Sequence, residues 1–178
     1  MKATPTEYKG VVYRSKSEAQ FALWLHWVHQ GFDQHILNAD DRKHKMTQDG
    51  CTGFEYEPKL PGEFQCDFMT WRTAFRSGFV FPKLLFCFIE YKPTRPTETY
   101  IKNWLKKANT CRQSIALSRE VSGVFEFRIY YGSAYSQDGG IITLLSDGSS
   151  QERKSNWCEN IRGYMLGYRF DLPKELVS

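Results

Sequence analysis

The chain has 178 residues, of which 41% are hydrophobic and 16% aromatic, and it carries a net charge of +4. This length and composition exclude a disordered chain, and we expect one domain over residues 1–178 with a buried core. The longest apolar run, 79–89, is interrupted by Pro82 and Lys83, so we expect no membrane contact. The segment MKATPTEYKG lacks the apolar core of a signal peptide, so we expect a cytoplasmic location.

The first predicted element is a helix over residues 17–29. Ser15 and Glu18 have the spacing of a capping box ahead of the apolar run AQFALWLHWV, and Gly31 ends it. The polar segment 33–53 follows, and we interpret it either as a loop that contains a short element or as a substrate-binding insertion.

Strand patterns come next. FEYE at 54–57 predicts a short strand, and the alternation in 63–71 predicts a second strand that contains Asp67. The run 83–91 is apolar until Glu90, as is typical of a central strand covered on both faces.

The remainder of the chain predicts another helix and further strands. We expect a helix over 97–118 with Thr97 as its cap, strands over 124–132 and 141–145, a weak helix near 151–162 and a final edge strand, YMLGYRF. The order of helix, three strands, helix and strand (αβββαβ, with C-terminal additions) predicts an α/β fold with a central mixed β-sheet flanked by helices.

Five cysteines are widely spaced: Cys51, Cys66, Cys87, Cys111 and Cys158. They form no CxxC pair, which favours buried or free thiols over a disulfide framework or a zinc site.

Positive charge is concentrated in one part of the chain. The segment 68–112 carries +7, whereas the rest of the chain carries −3. Such a field suits a polyphosphate partner, but a solvated basic helix face would give the same pattern.

Two neighbouring strands each end on charged side chains. Glu90 and Lys92 are two residues apart and therefore point to one face of their strand, and Asp67 lies in a strand of the same sheet. Two carboxylates and a backbone carbonyl, with Tyr91 as the natural donor, are ligands that suit Mg²⁺. An isolated E-x-K is a common string, and the alternative is that both side chains simply enter solvent at the strand end.

The wider pattern resembles the PD-(D/E)XK nuclease superfamily, in particular its small phage and mobile-element members. The resemblance covers roughly the first hundred residues and rests on four segments: YRSKSEAQFALWL (13–25), FEYEP (54–58), FQCDF (64–68) and FIEYKPTRPT (88–97). Cys66 stands where the family name has Pro, and Pro93 follows the lysine where Gly is frequent.

The resemblance implies a restriction-endonuclease-like core and a Mg²⁺-dependent endonuclease that hydrolyses DNA, with Mn²⁺ as a substitute metal. It implies Asp67 and Glu90 as metal ligands with the Tyr91 carbonyl, Lys92 as the catalytic lysine, and Glu18 as a fourth catalytic residue from the first helix. Glu18 shares a helix face with apolar residues, although it could instead serve only the capping box.

Several alternatives stay open at this point. Double-stranded or branched DNA would be the partner, held by the four basic residues Arg95, Lys102, Lys106 and Lys107, and a homodimer or larger homo-oligomer would supply further grip. Restriction-like, homing, junction-resolving and transposon-end activities fit equally well, in a protein encoded by a phage of a bacterial host. The other class of function is a catalytically silent module on the same scaffold that binds DNA or a host protein.

Overall fold

A computed structural model describes residues 3–30, 36–38, 43–45, 52–60, 64–74, 83–118, 123–133, 138–155 and 157–158. In chain order the elements are β1 (Thr6–Tyr8), β2 (Val11–Tyr13), α1 (Lys16–Gln30), β3 (Ile36–Asn38), β4 (Lys43–Lys45), β5 (Thr52–Tyr56), β6 (Phe68–Ala74), β7 (Lys83–Lys92), α2 (Glu98–Ser118), β8 (Gly123–Tyr131), β9 (Gly140–Leu144) and β10 (Ser150–Lys154).

A mixed sheet forms the centre of the molecule. Its eight strands run in the order β10-β9-β8-β7-β6-β5-β4-β3, and β1 pairs with β2 in a separate hairpin. Every pair in the large sheet is antiparallel except β7 with β8, which are parallel and are joined in the chain through α2. The described residues therefore form an α/β structure with a mixed sheet and two long helices.

Each helix covers one face of this sheet. On β7, Cys87, Ile89 and Tyr91 belong to the core cluster under α1, whereas Phe88 belongs to the cluster under α2. This alternation follows from the two-residue period of a strand, and it explains why the sequence of β7 is apolar on both faces. Glu90 and Lys92 continue the row of Phe88, so they emerge on the α2 side of the sheet.

Phe21 of α1 is the centre of the larger cluster. Its ring centroid lies 4.7 Å from that of Tyr91 and 5.1 Å from that of Phe68, and its side chain is fully buried. These contacts tie α1 to β6 and β7, the two strands that end beside each other at the charged edge of the sheet.

Most of the predicted elements are confirmed. The two long helices, the central strand 83–91 and the strands near 54–57, 124–132 and 141–145 are all present with small shifts at their ends. Segment 33–53 contains the short strands β3 and β4, and the rest of it, apart from the start of β5, lies outside the described residues.

Two predictions were wrong. The strand expected over 63–71 begins only at Phe68, so Asp67 immediately precedes β6 instead of lying within it. The weak helix expected near 151–162 is wrong at its start, where β10 is an edge strand whose side chains are all exposed. Strand pairing with β9 determines the backbone conformation of this segment, because its polar residues have no apolar face to bury. Trp157 and Cys158 are helical, and residues 156 and 159–162 lie outside the described residues. The edge strand expected at YMLGYRF lies outside the described residues.

The cysteine prediction holds for four residues. Cys66, Cys87, Cys111 and Cys158 are all buried and the first three are free thiols, while Cys51 lies outside the described residues. Neither described helix has the length and apolar composition needed to cross a membrane.

Candidate active site

Three carboxylates stand side by side where β5, β6 and β7 meet. The antiparallel register pairs Tyr56 with Phe68 and Phe68 with Ile89, so the next residues in line are Glu57, Asp67 and Glu90. A backbone bond from Glu57 N to Asp67 O, 2.8 Å long, confirms that the first two remain in register. Like charges at opposed positions repel each other, so this row requires cations nearby.

Lys92 supplies one of these cations. Its Nζ lies 2.6 Å from Glu90 Oε1 and 3.7 Å from Asp67 Oδ2. The hydroxyl of Tyr100, on the first turn of α2, also donates to Glu90 Oε1, and the Lys92 ammonium lies 5.3 Å from the centre of the Tyr100 ring. The structure therefore brings Asp67, Glu90 and Lys92 together, as predicted from the sequence, and adds Tyr100.

Asp67 is fixed by donors on both of its oxygens. Oδ2 accepts from Tyr91 N at 2.8 Å, and Oδ1 accepts from Arg14 Nη2. The N–H and C=O of one strand residue point to the same side, so the Tyr91 carbonyl also faces the Asp67 side of β7. That is the orientation required of the backbone ligand predicted from the sequence.

Glu18 is connected to Asp67 through the Arg14 side chain rather than by a direct contact. Its Oε1 lies 3.3 Å from Arg14 Nη2, the same nitrogen that contacts Asp67. Its Oε2 accepts from the Tyr56 hydroxyl at 2.7 Å and from Arg14 N at 3.1 Å.

Glu18 also takes part in capping α1. Glu18 N donates to Ser15 Oγ at 3.2 Å, so this half of the predicted capping box is formed. Because the Glu18 carboxylate bonds to Arg14 and Tyr56, its side chain does more than cap the helix.

A cleft of about 750 Å³ opens beside this cluster. Asp67, Glu90 and Lys92 line it together with Arg14 and Tyr100. Its other walls consist of the chain from Glu57 to Leu60, the chain from Phe64 to Cys66, and Trp104 and Lys107 of α2. A phosphate group could therefore approach the carboxylates and Lys92 from solvent.

The charges in the cluster perturb one another strongly. Burial raises the pKa of Glu90 above its ordinary value and the Asp67 carboxylate raises it further, although Lys92 opposes both effects. Burial alone would lower the pKa of Lys92, but Asp67 and Glu90 outweigh it and raise that pKa, so the amine is protonated at neutral pH. Burial and the hydrogen bond to Glu90 raise the pKa of Tyr100 to about 12.

The oxygen atoms of this cluster suit a hard divalent cation. The two donors on Glu90 converge on Oε1, and no donor from the described residues lies on Oε2. Mg²⁺ binds oxygen ligands and keeps several waters. Asp67 and Glu90 supply two carboxylates that repel each other, and the Tyr91 carbonyl lies beside them. Within the described residues, no three His, Cys, Asp or Glu side chains are gathered as a metal site, so such an ion would rely on this smaller set and on water.

The basic residues predicted to hold nucleic acid occupy different places. Lys107 lines the cleft, on the same helix face as Tyr100 and Trp104. Lys102 and Lys106 are exposed, and their positions in the helix place them on the opposite side of α2 from Trp104.

Arg95 forms ion pairs close to α2. It pairs with Glu152 of β10 at 2.8 Å and with Glu98 at 2.7 Å, and it does not line the cleft.

Sequence reasoning missed four residues of the cluster: Arg14, Tyr56, Glu57 and Tyr100. Arg14 and Tyr56 do lie within the motif segments 13–25 and 54–58, which was the available signal. Their contacts depend on how α1 docks against β5 and β6, and sequence spacing does not specify that.

Comparison of the chain with known protein families, with curated proteins and with solved structures finds no match.

Proposed function

We propose that this protein is a Mg²⁺-dependent endonuclease with a restriction-endonuclease-like core, related to the PD-(D/E)XK nucleases, and that it hydrolyses DNA phosphodiester bonds. The observation that carries the proposal is the position of Asp67 and Glu90 at the ends of adjacent strands, with Lys92 2.6 Å from Glu90 in an open cleft. Isolated acids and lysines are common, but two buried acids that share one ammonium at a cleft are not required for packing.

Asp67, Glu90 and the Tyr91 carbonyl would hold the metal ion, and Mn²⁺ could substitute for Mg²⁺. When bound, such a cation would lower the pKa of a water molecule and stabilise negative charge on a phosphoryl oxygen.

Lys92 would stabilise charge on the scissile phosphate. Its pKa is raised by Asp67 and Glu90, so it enters the reaction as an ammonium ion rather than as a free base. Tyr100 would keep Glu90 in one rotamer by donating to Oε1, which leaves Oε2 directed to the ligand. Glu18 would act as a fourth residue of the site through Arg14, whose Nη2 contacts both Glu18 and Asp67.

DNA would be held mainly by its backbone. Lys107 is the basic residue best placed to contact a phosphate in the cleft, and Lys102 and Lys106 could contact the strand further along α2. Arg95 would first have to leave Glu98 and Glu152, so we expect it to contribute least among the four.

Cleavage of supercoiled plasmid and of a branched DNA substrate, with Mg²⁺, Mn²⁺ or EDTA, tests the proposal. We expect cleavage only with metal, and a loss of at least about 100-fold in Glu90→Gln and in Lys92→Met. Glu7→Gln and Lys154→Met remove the same charges from exposed positions outside the cleft and should cleave like the unchanged protein.

The same assay separates the alternatives. Equal cleavage by Glu90→Gln and the unchanged protein would show that the activity does not come from this cleft. If the pure, folded protein binds DNA but leaves every substrate intact with either metal, the silent DNA-binding module is the correct function. If it neither binds nor cleaves DNA, a protein partner remains as the alternative.

A further inference from the structure

Arg14 contacts more of the acidic cluster than any other cation described in the structure. Its Nη2 lies 3.3 Å from Glu18 and also contacts Asp67, and its Nε lies 3.2 Å from Glu57. Its backbone is held separately, because Arg14 N donates to Glu18 and to the Tyr56 hydroxyl. The side chain is nevertheless 56% exposed and lines the cleft, so the guanidinium can move while the main chain stays in place.

Asp67 is the acid of this cluster that two described cations share. Arg14 pairs with Glu18, Glu57 and Asp67, and Lys92 pairs with Asp67 and Glu90.

Arg14 occupies the oxygen of Asp67 that a cation would need. Oδ2 already accepts from Tyr91 N, and the Lys92 ammonium lies beside it, which leaves Oδ1 as the more available oxygen. Arg14 Nη2 lies on that oxygen. A metal ion on Oδ1 and the guanidinium would repel each other at this distance, so both cannot keep full contact with it.

We infer that Arg14 is the resident counter-ion of the metal site: it neutralises Asp67 in the metal-free protein and is displaced from Oδ1 when the divalent cation binds. This inference rests on the proposed metal site, and it adds that Arg14 sets the metal concentration at which the site fills. An unpaired buried carboxylate would be strongly unfavourable, and Arg14 supplies Asp67 with a positive charge when no cation is bound.

Titration of metal-free protein with Mn²⁺, followed by calorimetry or by the electron paramagnetic resonance of free Mn²⁺, tests the inference. Arg14→Gln removes the competing charge, so it should bind Mn²⁺ roughly tenfold more tightly than the unchanged protein. Lys59→Gln is the matched control, because Lys59 also lines the cleft but forms no ion pair with these acids, and it should shift the affinity by less than roughly threefold.

Thermal unfolding gives a second readout. Arg14→Gln should be less stable than the unchanged protein without metal, and saturating Mn²⁺ should raise its Tm by more. If Arg14→Gln does not fold, Arg14→Lys keeps the charge, and the lysine cannot fork between Glu57 and Asp67. The lysine variant should then bind Mn²⁺ roughly threefold more tightly than the unchanged protein.

The outcomes separate this inference from the function on which it rests. Mn²⁺ binding that is equal or weaker in the folded Arg14 variant, with binding still lost in Glu90→Gln, overturns the counter-ion role and leaves the metal site intact. If the unchanged protein binds no Mn²⁺ at all, both the metal site and the role of Arg14 are wrong.

Discussion

Replacing Tyr56 by Phe removes one hydroxyl group, which forms hydrogen bonds with Glu18 of α1 and with Arg14 beside the acidic cluster. That hydroxyl donates to Glu18 Oε2 at 2.7 Å and accepts from Arg14 N at 3.1 Å and from Arg14 Nε at 3.2 Å. Tyr56 is almost fully buried, and a phenylalanine ring fills the same volume, so packing is preserved. The effect should therefore reflect the hydrogen bonds alone.

The expected loss of stability follows from the charge of the acceptor. A hydrogen bond to a charged group contributes about 1.5–3 kcal/mol, and the nearly buried Glu18 carboxylate is left with fewer donors. We expect Tyr56→Phe to lower the free energy of unfolding by about 2 kcal/mol. Urea unfolding followed by circular dichroism should show a lower midpoint with an unchanged slope.

A matched control uses the same substitution at a more open site. The Tyr131 hydroxyl donates to Glu152 Oε1, also at 2.7 Å, but Glu152 is partly exposed on the edge strand. Solvent weakens such pairs, so Tyr131→Phe should lower the free energy of unfolding by less than about 1 kcal/mol.

A double-mutant cycle then assigns the loss to one contact. The effects of Tyr56→Phe and Glu18→Gln should fail to add by about 1 kcal/mol, because the two side chains share a hydrogen bond. The Tyr56 hydroxyl does not hold Glu18 in place if the two effects are additive, or if Tyr56→Phe lowers the free energy of unfolding by less than about 0.5 kcal/mol.

Three further predictions concern the scaffold. Phe21→Ala should lower the free energy of unfolding by about 3–5 kcal/mol in urea titration, because the ring is fully buried at the centre of the larger cluster. Gly132→Ala should lower Tm sharply, since Gly132 has φ +113° and a Cβ there would lie 2.6 Å from Cys158 Sγ. The hydrogen bond from Arg95, followed by that from Tyr131, lowers the pKa of Glu152 to about 2, so its stabilisation is complete above the ordinary pKa near 4.5 and is lost as the pH falls towards 2. The acid-induced fall in Tm between these pH values should therefore be smaller in Arg95→Gln.

The parts of the fold that were predictable are those with strong periodicity. The long apolar run of β7 and the stripe containing Ile101, Trp104 and Leu105 on α2 bury the faces that their spacing indicates. The segment of β10 was assigned to a helix instead of a strand. All of its side chains are exposed, so SQERK shows neither the two-residue period of a strand nor the 3.6-residue period of a helix. Its strand conformation depends on pairing with β9, which is a tertiary effect.

The candidate site divides in the same way. An E-x-K alone is a common string, and Asp67, Glu90 and Lys92 were singled out because the segments around them resemble those of a known nuclease superfamily. Arg14, just before α1, contacts Asp67, which is 53 residues away in the chain, and Tyr100 on the first turn of α2 contacts Glu90; both roles follow only from contacts that the structure shows.

A crystal structure of the protein grown with Mn²⁺ and measured at the manganese absorption edge would test the central claim most directly. The account predicts an anomalous peak about 2.0–2.2 Å from an Asp67 oxygen and a Glu90 oxygen, beside the Tyr91 carbonyl, with Arg14 moved from Asp67 Oδ1. An empty cleft at saturating Mn²⁺, or a peak bound only by other residues, would contradict it.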